Sequence, residues 1–205
     1  MRKIIFSILL GVSMLGNASG ANLPTPSEFL KFTVGADRQL ADYHQIESYF
    51  QMLAKSSPRI KFEVLGKTTQ NNDLFMAIIS SEENLKNIDH LKEIARKISD
   101  PRGQTKDQLD ALVKEGKVFL MVSCNIHSTE IASGQMAMEW AHALMTSEDE
   151  QTRKRLNDVV LLLIPSLNPD GQIMVTDWYR KYVGTKYEGG RMPWLYHYYI
   201  GRLIS

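Results

Sequence analysis

Six consecutive apolar residues, Val159-Val-Leu-Leu-Leu-Ile164, constrain this chain more than any other stretch of it. A strand with one wet face alternates apolar and polar side chains, whereas an unbroken apolar run needs cover on both faces. The run therefore predicts a central strand over Asp158 to Pro165. Upstream, Lys117-Val-Phe-Leu-Met-Val-Ser-Cys124 is a second such run. Between them lie Ile131 to Met145, apolar at helical spacing, and a short charged helix, Glu148 to Leu156. Strand, helices and strand make a β-α-β crossover, so both strands are expected to be parallel and buried. Parallel strands end on the same edge of a sheet. The polar segments after Cys124 and after Ile164 should then lie side by side, where open α/β sheets place their ligands.

The remaining segments read as scaffold. Leu40 to Ala54 carries Leu40, Tyr43, Ile46, Tyr49, Phe50 and Leu53 at helical spacing. Ile60 to Leu65 and Leu74 to Ile79 predict an antiparallel strand pair joined by the polar loop Gly66 to Asp73. A helix over Asn84 to Ser99 is closed by Asp100-Pro101-Arg102-Gly103, and a shorter one spans Lys106 to Lys114. With no repeat or linker, an α/β domain follows. At the amino terminus, Met1-Arg2-Lys3, the apolar Ile4 to Leu15 and the small residues Asn17 to Ala21 predict an export signal over residues 1–20. The chain is thus expected in an extracytoplasmic compartment, with residues 21–205 as one domain. Cys124 is the sole cysteine, which excludes an internal disulfide. A formal net charge of +1 offers no electrostatic case for nucleic acid or an anionic membrane.

Function must therefore be read from a site. The first strand end continues as Asn125-Ile-His127-Ser-Thr-Glu130. An imidazole and a carboxylate at that position are two of the three protein ligands a hydrolytic zinc requires, with water in the fourth place. The same spacing occurs at His44 and Glu47 and at His90 and Glu93, but inside amphipathic runs, where such pairs are solvated helix faces. A plainer reading stays open for His127 and Glu130 too: Glu130 favours the positive end of the next helix and His127 is a loop histidine. The second strand end, Pro165-Ser-Leu-Asn168-Pro-Asp-Gly171, reads as a turn. Further on, Trp178-Tyr-Arg180-Lys181 presents a guanidinium suited to a polarised carbonyl or a carboxylate, or simply packed on Trp178. Cys124, ending an apolar strand, reads as packing rather than a nucleophile. Met136, Met138, Trp140 and Met145 read as core, and His142 as packed or half-exposed rather than a third ligand.

Taken in order, Asn-Ile-His127-Ser-Thr-Glu130, Pro165-Ser-Leu-Asn168-Pro-Asp-Gly171 and Trp178-Tyr-Arg180 resemble the zinc carboxypeptidases of the M14 peptidase family. Thr25-Pro-Ser-Glu-Phe-Leu30, Gly35-Ala-Asp-Arg38 and Leu65-Gly-Lys-Thr68 resemble an exported bacterial branch of it. The resemblance implies a mixed, largely parallel sheet flanked by helices, a zinc ion, and removal of C-terminal residues from a peptide or protein substrate. It implies His127 and Glu130 as the first two zinc ligands and Arg180 as the group that stabilises the oxyanion. Members take a third His ligand, a general-base Glu and an Asn-Arg pair for the substrate carboxylate from further downstream. Tyr196-His-Tyr-Tyr-Ile-Gly201 resembles the segment leading there, and is followed by Arg202-Leu-Ile-Ser205. The expectation is a truncated, N-terminal portion of the enzyme with weak or no activity. The same strand end also suits a zinc deacylase of the aspartoacylase type, or a peptide-binding pseudoenzyme without catalysis.

Overall fold

The computed structural model describes residues 23–192, so the expected export signal and the segment Tyr196 to Gly201 lie outside the described residues. In chain order the elements are α1 (Pro26–Leu30), α2 (Tyr43–Ser56), β1 (Ile60–Lys67), β2 (Asp73–Ile79), α3 (Glu82–Lys86) and α4 (Ile88–Ser99). They continue with α5 (Lys106–Glu115), β3 (Val118–Ser123), α6 (Ala132–Thr146), α7 (Glu150–Asp158), β4 (Val159–Ile164) and α8 (Pro169–Tyr182). The strands form one sheet in the order β1-β2-β4-β3. β1 pairs antiparallel with β2, β2 antiparallel with β4, and β3 parallel with β4, from Val118 opposite Val159 to Ser123 opposite Ile164. The sheet is mixed, as expected. Among the described strands its parallel share is that single pairing, smaller than a largely parallel sheet would have.

β4 shows why its six apolar residues are tolerated. Leu161 and Leu163 face a core built with Ile46, Phe50 and Leu53 of α2 and Ala137, Met138 and Ala141 of α6. Val160 and Ile164 face the opposite layer, with Leu85 of α3 and Ile88, Leu91 and Ile94 of α4. The side chains of β2 divide in the same way, Phe75, Ala77 and Ile79 to one layer and Met76 and Ile78 to the other. β3 departs from its expected burial. It lies at the sheet edge, and Val118, Leu120 and Met121 remain 62%, 47% and 62% exposed. One strand flank and the open parts of both faces have no neighbour among the described residues.

Local chemistry explains the element ends. Asp42 caps α2 through Gln45, whose side chain returns to the Asp42 amide, and the buried stripe Tyr43, Ile46, Tyr49, Phe50 and Leu53 is the one its spacing predicts. The helix expected over 84–99 is two helices, because Asn87 leaves helical geometry between α3 and α4. Asn84 is meanwhile held to the end of α7, its buried amide donating to the carbonyls of Leu156 and Asn157 and to Ser80 Oγ. Two helices were not foreseen, α1 and α8. Each starts on a capping residue followed by proline, Thr25-Pro26 and Asn168-Pro169. On α6, Met138 and Met145 are core, but Met136 is 46% exposed, a correction to its expected burial. Its position is offset from the stripe Gly134, Ala137, Met138 and Ala141 that meets the sheet layer.

Candidate metal centre

The two strand ends lie side by side. Beyond the last β3–β4 pair, Cys124 N donates to the Ile164 carbonyl at 2.8 Å and Leu167 N to the Cys124 carbonyl at 2.8 Å. The chain then turns at Asn125, whose φ of 55° is the left-handed conformation that Asn tolerates better than most residues. Its buried amide donates to Ser166 Oγ at 3.1 Å and to Gln172 Oε1 at 3.0 Å, fastening the turn to the neighbouring segment. Cys124 is buried and its thiol is pushed up by that burial, which disfavours the thiolate and agrees with a packing role.

After this turn His127 and Glu130 face solvent, their side chains 67% and 62% exposed. His127 Nδ1 stands 3.4 Å from Glu130 Oε1. Two donors each about 2.0–2.2 Å from a tetrahedral zinc are about 3.4 Å apart, so the pair fits two adjacent corners of such a site. α6 begins at Ala132 after Ile131, which gives no side-chain cap, and Glu130 Oε1 faces His127 Nδ1. Among the described residues no group of three His, Cys, Asp or Glu side chains gathers to hold a metal. His142, partly buried, contacts the Leu23 carbonyl through Nε2 at 3.1 Å. The two other His-x-x-Glu spacings remain on helix surfaces, with His44 3.7 Å from Glu47 and His90 turned to Glu115.

The segment read as a simple turn does more than turn. Asn168 caps α8, its Oδ1 accepting from Gly171 N at 3.0 Å, while its Nδ2 donates to Ser128 Oγ at 2.8 Å. Asp170 accepts from Thr68 Oγ1 at 2.5 Å, Asn72 Nδ2 at 2.8 Å and Gln70 N at 3.0 Å, so it fixes the β1–β2 loop. One motif thus joins three segments: that loop, the His127 loop and α8. The signal that could have shown its helical half was an Asn, Pro, Asp series, the usual start of a helix.

Among the described hydrogen bonds Arg180 has none to His127 or Glu130. At the far end of α8 its guanidinium donates to Asp42 Oδ2 at 2.6 Å, to Gln45 Oε1 at 3.0 Å and to the Leu40 carbonyl at 3.1 Å. It therefore ties α8 to the start of α2. Thr129, between the two candidate ligands, lines a cavity of about 290 Å³ whose walls include Leu40, Ile131, Val175, Trp178 and Tyr182.

The zinc carboxypeptidase family model (Peptidase M14) matches residues 46–189 of the chain. No curated protein sequence matches it. Among solved structures, thrombin activatable fibrinolysis inhibitor is similar over 74% of this chain and 32% of its own, with 13% identity and a TM-score of 0.50. Carboxypeptidase A from Helicoverpa armigera is 18% identical with a TM-score of 0.48, over 77% of this chain and 30% of its own. A metallo-carboxypeptidase from Burkholderia cenocepacia is 14% identical with a TM-score of 0.40, over 71% and 33%. The first of these likenesses supports the fold alone. The chain spans about a third of the length of the solved chains it matches.

Proposed function

The chain belongs to the zinc carboxypeptidase family, and we propose that it serves metal-assisted hydrolysis at the C-terminal end of peptides, with His127 and Glu130 as two of the zinc-holding side chains. The observation that carries this reading is the 3.4 Å approach of His127 Nδ1 to Glu130 Oε1 at the end of β3, inside the matched span. Zinc, on which the family depends, supplies Lewis acidity when bound. His127 offers a neutral nitrogen and Glu130 a negative oxygen, both accessible and both carried by a loop fixed to the sheet. The cavity beside Thr129 gives an apolar side chain of a peptide a place next to that loop.

Among the described residues His127 and Glu130 are the two side chains assigned to the ion, and a hydrolytic zinc takes a third. Arg180 is the group proposed for a developing oxyanion, and its bonds to Asp42 and Gln45 hold its guanidinium in place. An extracytoplasmic setting, proposed from the sequence of residues 1–20, would bring the chain to peptide substrates. The test is zinc uptake by the purified full chain at equilibrium. The wild type is expected to bind zinc, and His127→Ala to lose about tenfold or more in affinity. Unchanged zinc uptake in His127→Ala overturns the assignment.

A further inference from the structure

Between two exposed candidate ligands sits a residue with no exposure at all. Ser128 is 0% exposed, and its hydroxyl receives a hydrogen bond from Asn168 Nδ2 at 2.8 Å. Asn168 is itself 4% exposed and is oriented from its other end, where Oδ1 accepts from Gly171 N. The same Nδ2 also reaches the Ile126 carbonyl at 3.4 Å, so one amide grips the loop on both sides of His127. A Cβ on Gly171 would overlap Ser128 Oγ outright and stand 2.7 Å from Asn168 Nδ2. Glycine is a poor residue inside a helix, and its presence in the first turn of α8 is explained by this close approach.

We propose that Ser128, Asn168 and Gly171 form a latch that positions the His127–Glu130 loop, with Ser128 and Asn168 as positioning residues and Gly171 as the clearance they need. The latch rests on the metal-centre reading above and deepens it. Asn125, fastened to Ser166 and Gln172, anchors the start of the loop; Ser128 anchors its middle. With Ser128 drawn inward, His127 on one side and Glu130 on the other are both left at the surface, within reach of one ion. A loop without this anchor would have to be ordered by the ion itself, at the expense of affinity.

The test uses the full chain carrying Ser128→Ala, which removes one hydroxyl and keeps the Asn168 cap on α8. Backbone order of residues 126–130 is followed by nitrogen-15 relaxation without metal, and zinc affinity is measured separately. The order parameters are expected to fall from about 0.85 in the wild type to below about 0.6, with β4 and α8 unchanged. Zinc affinity is expected to fall about tenfold. Gly171→Ala, approaching from the other side, is expected to loosen the same residues even though alanine is the better helix former. A loop that stays ordered in both variants overturns the latch whatever zinc does. A loop that loosens while zinc uptake ignores His127→Ala supports the latch and overturns the metal-centre reading.

Discussion

β4 and β3 are partners in one parallel pair, both rich in apolar residues, and their fates differ. Val160 and Leu163 of β4 are fully buried, while Val118 and Met121 of β3 are each 62% exposed. Composition alone does not bury a strand; neighbours on both flanks and both faces do. β4 has β2 and β3 beside it and a helical layer on each face. β3 has β4 alone beside it among the described residues. Its contribution is made at its end, where the parallel register brings Cys124 to Ile164 and Leu167 and delivers the His127 loop to the start of α8.

That contrast can be broken or sharpened by substitution. The largest effect is expected for Leu163→Ala, which empties a fully buried site in β4 and should cost about 2–5 kcal/mol in urea unfolding. Next comes Asp170→Ala. It strips Thr68, Asn72 and Gln70 of a shared acceptor and should cost about 1–3 kcal/mol by the same measurement. Arg180→Ala should cost about 0.5–1 kcal/mol, since its ion pair with Asp42 is partly solvated. Met121→Ala should lie within about 0.5 kcal/mol of the wild type. If Met121→Ala costs as much as Leu163→Ala, β3 is covered in solution and the contrast is wrong. Met121→Lys sharpens the same point without a large stability change. A charge on an apolar edge strand should reduce self-association, seen as a smaller high-mass fraction in sedimentation velocity at high concentration.

Legibility in the sequence followed the range of the interactions. The β-α-β unit was readable because unbroken apolar runs and helical spacing are local patterns. His127 and Glu130 were readable for the same reason, three residues apart at a strand end. The latch was not. Ser128 and Asn168 are 40 residues apart; the parallel pair makes their segments adjoin, but nothing in Ser-Thr or Asn-Pro says that these two side chains bond. Asp170 reaches its partner Thr68 across 102 residues, so the motif looked like a turn and its clamp on the β1–β2 loop was hidden. α8 was missed because Gly171 argues for a turn, while its close approach to Ser128 is visible only in three dimensions. Arg180 reads as a guanidinium for a carbonyl or carboxylate, or one packed on Trp178; its attachment to Asp42 spans 138 residues. Likewise, the hold of Asn84 on the end of α7 spans 73 residues.

The central claim is that the loop at the end of β3 presents one imidazole and one carboxylate to a single zinc ion. X-ray absorption at the zinc edge of the zinc-loaded full chain tests it most directly. The expected spectrum shows nitrogen and oxygen neighbours at about 2.0–2.2 Å with imidazole scattering that falls in His127→Ala. Sulfur scattering from Cys124, or imidazole scattering undiminished in His127→Ala, would contradict it.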